Sequence, residues 1–184
     1  MILLYILLLV ISLLVCIILF IFFVIQFIAK FTTHAPFVPV PKETIRQISE
    51  NFNLDNTSVL YDLGCGDGRI LIEASKLNPK TKMIGVEKAL LPYFISKFNT
   101  RKFSNIKIIR GDIFKTDLSE PSHIFLYLYP QVLEKLLPIF EKQCRKDTKV
   151  FSCDFQFKNK NPLKVIDLVN STSPRGKKLF VYTI

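Results

Sequence analysis

The fold is decided by one stretch of the sequence, Tyr61-Asp62-Leu63-Gly64-Cys65-Gly66-Asp67-Gly68-Arg69-Ile70. An apolar run over Ser58–Leu63 leads into it and predicts a β-strand, and the apolar spacing over Arg69–Leu77 predicts a helix after it. Glycines between them permit backbone angles that other residues avoid and let a ligand lie against the main chain. Because the next helix begins with free N–H groups, we expect a ligand site at the carboxyl end of this strand.

Strand and helix patterns alternate through the rest of the chain. Further strands are expected at Lys82–Glu87, Ile106–Arg110, Ile124–Tyr127, Val150–Cys153, Val165–Val169 and Leu179–Thr183. Further helices are expected at Lys42–Asn51, Leu90–Phe98 and Gln131–Gln143. Strands separated by helices predict a parallel sheet covered on both faces, and the last two strands can add an antiparallel edge. We therefore expect an α/β fold with a Rossmann-like, seven-stranded, mostly parallel sheet.

Length and composition limit the classes of protein that fit. The chain has 184 residues, is 49% hydrophobic and carries a formal net charge of +10. These values favour one globular domain and exclude a disordered, collagen-like or disulfide-scaffold protein. All 25 basic and 15 acidic residues follow position 29, and no second apolar run is comparably long, which excludes a multi-span channel or transporter.

The apolar leader, residues 1–30, predicts one transmembrane anchor. The run from Ile2 to Ala29 would form roughly 40 Å of helix, more than the ~30 Å hydrocarbon core requires. A cleaved signal peptide fits poorly, because no Lys or Arg precedes the run and no A-x-A site follows it. Lys30, Lys42 and Arg46 follow the leader, so the positive-inside tendency places the remainder in the cytoplasm, or in the matrix of an organelle.

A proline-rich linker, residues 31–41, separates the leader from a domain that we expect over residues 42–184. Prolines at positions 36, 39 and 41 stop a helix and favour an extended spacer. The four cysteines and two histidines show no CxxC pair and no metal-ligand spacing. We therefore expect no metal site and no disulfide framework, as is usual in a reducing compartment.

Two nucleotide cofactors compete for the glycine loop. Its spacing is G-x-G-x-G, whereas a dinucleotide's pyrophosphate favours G-x-G-x-x-G. Asp62 before the loop suits a ligand with a cationic amino-acid end and no phosphate. Glu87 ends the second strand about 20 residues after Gly66, a distance typical of an acid that binds ribose hydroxyls. Asp112 follows the third strand, where its carboxylate could reach an adenine amino group.

These motifs resemble those of class I S-adenosylmethionine-dependent methyltransferases. The segment from Asp62 to Gly68 matches their first motif, Glu87 their second-strand acid and Gly111-Asp112-Ile113 their third-strand motif. The resemblance implies S-adenosyl-L-methionine as the cofactor, bound by Asp62, Gly64, Cys65, Gly66, Gly68, Glu87, Asp112 and Ile113. A dinucleotide-binding protein and a degenerate fold that binds neither cofactor remain as alternatives.

Two further segments, Pro36-Phe37-Val38-Pro39 and Leu126-Tyr127-Leu128-Tyr129-Pro130, carry a closer resemblance. The chain is similar to the membrane-associated protein-lysine methyltransferases that act on the ring protein c of ATP synthase and on the adenine nucleotide translocase, and to their prokaryotic relatives. That resemblance implies N-methylation of lysine in a membrane or membrane-proximal protein. Cys65 departs from the Ser that is common in this family, and no arginine-rich presequence precedes the leader. We therefore expect a prokaryotic plasma membrane in preference to the mitochondrial inner membrane.

The chemistry requires few reactive groups, because a sulfonium methyl is already activated and positioning supplies much of the rate. A lysine amine, with a reference pKa near 10.4, must be held in its neutral form. Tyr129, at the carboxyl end of the fourth strand, is the candidate catalytic residue as an orienting group. Phe37 and Pro130 are candidates for lining the substrate pocket. The alternative roles are a packed aromatic for Tyr129 and a staple of the linker for Phe37.

The excess of basic residues lies in two clusters, one within residues 97–115 and one within 158–178. An anionic leaflet and RNA are both possible partners, and a composition bias without any partner is the third interpretation. A membrane anchor makes the leaflet a more natural partner than nucleic acid. Two alternative functions remain: methylation of a lipid or quinone head group, and a non-catalytic scaffold that binds the cofactor.

Overall fold

The computed structural model describes residues 1–32, 39–168 and 174–184, with the side chains of 28–32 excepted. The chain divides into two units, Met1–Pro36 and Phe37–Ile184. The first unit contains helix α1 (Ile2–Thr32). Within it, Ile2–Phe27 is long and apolar enough to cross a membrane, and none of its hydrophobic window is buried.

The second unit alternates strands with helices. Its helices are α2 (Lys42–Asn51), α3 (Arg69–Leu77), α4 (Leu90–Thr100) and α5 (Pro130–Gln143). Its strands are β1 (Val59–Leu63), β2 (Lys82–Glu87), β3 (Ile106–Arg110), β4 (His123–Leu126), β5 (Lys149–Cys153), β6 (Lys164–Asp167) and β7 (Lys178–Thr183). The bounds differ from those predicted by one or two residues at most ends, and Val169, the predicted end of β6, lies outside the described residues.

The strands form one seven-stranded sheet in the order β3-β2-β1-β4-β5-β7-β6. The first five of these strands are parallel, and β7 runs antiparallel to both of its neighbours. The predicted α/β class, strand number and antiparallel edge are confirmed. Since β1 to β4 are parallel neighbours, their carboxyl ends lie along one edge of the sheet.

Two apolar clusters cover the two faces of the sheet. Successive residues of β1 alternate between them, as a pleated strand requires, so that Leu60 joins one cluster and Tyr61 the other. The first cluster is completed by α2 and α3, and the second by α5 and the loop after β3, which contributes Leu118. Because both faces are covered, the carboxyl edge of the sheet is left to carry the functional groups.

Candidate active site

The predicted cofactor residues come together at the carboxyl edge of the parallel strands. The glycine loop follows β1, Glu87 ends β2, and Asp112 and Ile113 follow β3. The pairing registers place Leu63 beside Val86 and Glu87 beside Arg110, so these three segments are direct neighbours. The structure therefore groups residues that lie far apart in the sequence.

The glycine loop turns sharply and is fixed to the end of β2. Gly64, Gly66 and Gly68 all have positive φ angles, of 85°, 56° and 81°. The N–H groups of Gly64 and Cys65 both donate to the carbonyl of Val86, at 2.8 and 3.1 Å. A Cβ atom at Gly64 would lie 3.1 Å from a methyl group of Leu128 in addition to straining the backbone. The main chain of the loop is therefore held bare against the site.

Glu87 connects the loop to the second strand. Its Oε2 accepts a hydrogen bond from the Gly66 N–H at 3.0 Å, and its Oε1 accepts one from the Ala89 N–H at 2.8 Å. The side chain is 9% exposed, so its orientation is fixed. A carboxylate has about four lone-pair sites, and the two that remain can accept the hydroxyl groups of a ribose.

Asp62 is a buried carboxylate in need of a cation. Its side chain is 3% exposed, and within the described part of the chain it has no hydrogen-bond partner. Burial, together with the nearby carboxylates of Glu87 and Asp67, raises the pKa of Asp62 well above its usual value. A ligand with an ammonium and a sulfonium group would relieve this electrostatic cost. The donor set thus fits the S-adenosylmethionine that the sequence implies.

The segment before α2 forms one wall of the cleft beside Asp62. Arg69 pairs with Asp67 through Nε at 2.9 Å and donates from Nη1 to the carbonyl of Val40 at 2.8 Å. Pro39 and Val40 consequently line this cleft together with the glycine loop. Phe37, a predicted pocket residue, lies outside the described residues, so its role stays a prediction.

Asp112 and Ile113 close the loop after β3. The Asp112 carboxylate accepts hydrogen bonds from the Phe114 N–H and from Nζ of Lys88, both at 3.0 Å. Burial opposes ionisation, but these donors outweigh it and lower the pKa of Asp112. Ile113 packs against the apolar cluster on the α5 side. Contact of either residue with adenine stays a prediction.

The thiol of Cys65 is buried and unreactive. Burial and the charges of Asp62 and Glu87 raise its pKa well above the usual value, which keeps it protonated. A Cβ atom at Gly85 would lie 2.8 Å from the Cys65 Sγ, which places the thiol against β2. Cys65 contributes its main chain to the loop and its side chain to packing.

The fourth strand brings Tyr127 to the cleft. Phe125 and Tyr127 lie two positions apart and both line it, as residues on one face of an extended chain do. Tyr129 begins α5 instead: its carbonyl accepts the N–H groups of Val132 and Leu133 at 2.9 and 3.2 Å.

The ring of Tyr129 is 40% exposed and lies 6.1 Å from that of Phe155. Pro130 is the first residue of α5, and it turns the chain out of the strand direction before Tyr129 can follow Tyr127. The sequence analysis missed Phe125 and Tyr127, although a period of two along β4 indicates both. The orienting role of Tyr129 and the pocket role of Pro130 stay predictions.

Comparison with known proteins gives the family. The model of the ANTKMT methyltransferase domain matches residues 62–164. A protein-lysine N-methyltransferase of Saccharolobus islandicus (strain REY15A) is 30% identical over 154 residues, which cover 82% of this chain and 96% of that protein. A human lysine N-methyltransferase named for the ring protein c of ATP synthase is 28% identical over 132 residues, covering 69% of this chain and 54% of that protein.

Solved structures agree with this assignment. An RNA methyltransferase from Salinibacter ruber, in complex with S-adenosyl-L-homocysteine, superposes with a TM-score of 0.72 at 33% identity and covers 80% of this chain and 94% of that one. A precorrin-6y C5,15-methyltransferase from Geobacter metallireducens, with a TM-score of 0.57, 19% identity and 67% of each chain covered, shares the fold. The chain belongs to the ANTKMT methyltransferase family and is an S-adenosylmethionine-dependent methyltransferase.

Proposed function

We propose that this methyltransferase modifies the Nε atom of lysine in a membrane or membrane-proximal protein. The observation that carries the proposal is the similarity to a relative named for protein-lysine methylation, which extends over 82% of this chain and 96% of that relative. The human relative, named for a lysine in a component of ATP synthase, supports the same chemistry and a substrate in a membrane complex. The buried Asp62 carboxylate, which the neighbouring carboxylates repel, supports a cationic ligand in the cleft.

The cofactor would be held by residues on three strand ends. When bound, S-adenosylmethionine supplies a methyl group activated by its sulfonium. Asp62 would hold its cationic amino-acid end, Glu87 the ribose hydroxyls, and Asp112 with Ile113 the adenine. Each of these carboxylates is already fixed or buried before binding, so little ordering cost remains.

The chain's own contribution to transfer is to desolvate and orient the lysine amine. Phe125 and Tyr127 line the cleft and exclude water, and a drier environment lowers the pKa of lysine and favours the neutral amine. Burial and the nearby Asp154 carboxylate raise the pKa of Tyr127, so its phenol stays protonated and can orient an amine without accepting a proton. Tyr129 is the second candidate for this orienting role.

For localisation, we propose that α1 is a single-pass anchor and that the methyltransferase unit lies on the cytoplasmic side of a prokaryotic plasma membrane. The support is the apolar span Ile2–Phe27 and the basic residues that follow the leader. An anchor would keep the enzyme close to a substrate in the same membrane and so raise its effective concentration.

RNA is the second candidate substrate, because the Salinibacter structure carries that name at 33% identity. Membranes and total RNA from one culture, incubated with the purified full chain and S-adenosylmethionine labelled in its methyl group, distinguish the two candidates. We expect the label in protein, released as methyl-lysine on hydrolysis. Label in RNA alone, or in an organic extract of lipids and quinones alone, would overturn the proposal.

A matched pair of variants links the label to the cleft. Glu87→Gln removes the charge that is expected to accept the ribose hydroxyls, and we expect transfer at limiting cofactor to fall about tenfold to a hundredfold. Glu73→Gln alters a carboxylate on α3 that pairs with Lys76 at 3.0 Å, and we expect transfer to stay near the wild-type rate. Equal effects of the two substitutions would exclude the ribose role of Glu87.

A further inference from the structure

Helix α4 presents its apolar side to solvent. Its buried residues are Ser96 and Thr100, both polar. Five large apolar side chains are instead between 41% and 70% exposed, namely Leu90, Leu91, Phe94, Ile95 and Phe98. Their spacing places all five on one side of a helix, and we call this set the α4 stripe. A surface helix of a soluble domain normally shows the opposite arrangement.

The packing of α4 against the glycine loop explains this orientation. A Cβ atom at Gly68 would lie 3.1 Å from a methyl group of Thr100 and 3.4 Å from Cβ of Ser96, so only small side chains fit there. The hydroxyl of Thr100 donates to the carbonyl of Ser96 at 2.8 Å, which satisfies it inside the interface. Asn99 donates to the carbonyl of Asp67 at 3.0 Å and fixes the helix from the side. The inner face is thus set by the loop, and the α4 stripe is left for another contact.

Cations without acidic counterparts surround the α4 stripe in the sequence. The segment from position 88 to 110 contains no Asp or Glu and six basic residues: Lys88, Lys97, Arg101, Lys102, Lys107 and Arg110. The guanidinium of Arg101 lies 3.8 Å from the centre of the Phe98 ring, and Nζ of Lys97 lies 5.8 Å from that of Tyr93. Both are exposed at the surface, while Lys88 is paired with Asp112 at 3.0 Å.

This combination is the chemistry of a lipid interface. Helices that lie in the headgroup region bury leucine and phenylalanine on one side and surround them with lysine and arginine. Long basic side chains can pack on aromatic rings while their charged ends reach anionic headgroups. A protein partner recognised by an apolar stripe would not by itself require six cations in a segment without an acid.

We propose that the α4 stripe and its basic neighbours dock the methyltransferase unit onto the surface of an anionic bilayer. Phe94 and Phe98 then lie at the boundary between headgroups and acyl chains. The proposal goes beyond lysine methylation and rests on the proposed anchor only because the anchor keeps a bilayer within reach. Since α4 packs on the glycine loop, docking would hold the cofactor cleft close to the membrane surface.

The chain contains no tryptophan, so one substitution supplies a single reporter. The full chain carrying Phe94→Trp is incorporated into vesicles of phosphatidylcholine with or without phosphatidylglycerol, in which part of the lipid carries brominated acyl chains that quench tryptophan. The matched control is Leu163→Trp, at an apolar residue that is 77% exposed and directly precedes β6, at the other edge of the sheet. Circular dichroism checks that both variants retain the fold.

We expect the Phe94→Trp reporter to be quenched at least about twofold more than the Leu163→Trp reporter in anionic vesicles, with a blue-shifted emission. Adding Lys97→Glu and Arg101→Glu to Phe94→Trp should lower the ratio of docked to undocked protein about fivefold for each charge removed and return quenching towards the control.

Equal quenching of the two reporters in vesicles that carry the chain after flotation would overturn the docking proposal and leave the anchor intact. Absence of the chain from the floated vesicles would contradict both. An emission shift that depends on protein concentration in lipid-free detergent, or that needs an added membrane protein, would assign the α4 stripe to a second copy or to a protein partner and overturn the lipid assignment. Methyl transfer to lysine, measured separately, tests the proposed function in each case.

Discussion

At the scale of single residues, the cleft is built at the expense of stability. Asp62 is buried without a hydrogen-bond partner in the described part of the chain, and the carboxylates nearest to it repel its charge. Asp55 shows the opposite case, because hydrogen bonds from Thr57 and Ser58 lower its pKa to about 2. A carboxylate that is poorly placed for folding is well placed to bind a cation.

We predict that Asp62→Asn stabilises the ligand-free protein and abolishes binding of S-adenosylhomocysteine. The raised pKa means that the folded state favours protonated Asp62, so the stability present at low pH is lost as the pH rises through that pKa. The gain from Asn should therefore grow with pH and reach at least about 1 kcal/mol, the equivalent of one pKa unit, once wild-type Asp62 is ionised. Urea unfolding at several pH values, with calorimetry of the homocysteine product, measures both effects.

Asp55→Asn is the control for this prediction, because it removes a carboxylate that accepts hydrogen bonds in the folded state. We expect it to lower stability at neutral pH and to leave binding unchanged. If Asp62→Asn lowered the stability of the ligand-free protein in the same way, the interpretation of Asp62 as a strained cation site would be wrong.

At the scale of elements, the order of strands and helices could be predicted because each element carries its own periodicity. The glycine loop, Glu87 and Asp112 were predictable as neighbours because parallel strands end at one edge of the sheet. The position of β7 between β5 and β6 was not, since pairing partners depend on contacts between distant segments. Likewise, Pro130 decides that Tyr127 and not Tyr129 continues the strand face, a local turn that the alternation of apolar residues does not reveal.

The inner face of α4 shows a second limit of sequence reasoning. Periodicity predicts a helix at residues 90–98, and burial of its apolar side would be the ordinary expectation. The structure buries Ser96 and Thr100 instead, because the neighbouring glycine loop leaves room only for small side chains. A tertiary contact therefore overrides the local pattern.

Gly85 provides a prediction at this scale, because β2 passes under the loop where no side chain fits. A Cβ atom there would lie 2.7 Å from Leu71, 2.8 Å from the Cys65 Sγ and 2.8 Å from Ile108. We expect Gly85→Ala to lower the free energy of unfolding by about 1 to 3 kcal/mol through overpacking. Chemical denaturation measures this change.

Gly111→Ala is the matched substitution on the neighbouring strand end. The nearest atoms to a Cβ atom at Gly111 are a methyl group of Val86 at 3.7 Å and one of Ile109 at 3.9 Å, which is ordinary contact. Its effect on stability should stay within about 0.5 kcal/mol. Equal losses for the two alanine variants would mean that the crowding around Gly85 relaxes without cost.

At the scale of the whole molecule, the account joins a methyltransferase unit to an apolar helix long enough to cross a membrane. The family match over residues 62–164 includes the glycine loop, Glu87, Asp112 and the strand that carries Tyr127. The cofactor cleft therefore belongs to the part of the chain that defines the family. The proposed lysine substrate, the proposed anchor and the proposed docking of the α4 stripe would all place the reaction at a bilayer surface.

The structure of the full chain with S-adenosylhomocysteine is the most direct test of the cleft on which these proposals depend. We predict that the ammonium group lies against the Asp62 carboxylate and that the ribose hydroxyls donate to Glu87, which keeps its bond to the Gly66 N–H. The adenine should lie between Asp112 and Ile113. A homocysteine product bound elsewhere, or a cleft beside Asp62 left empty at saturating concentration, would contradict the account.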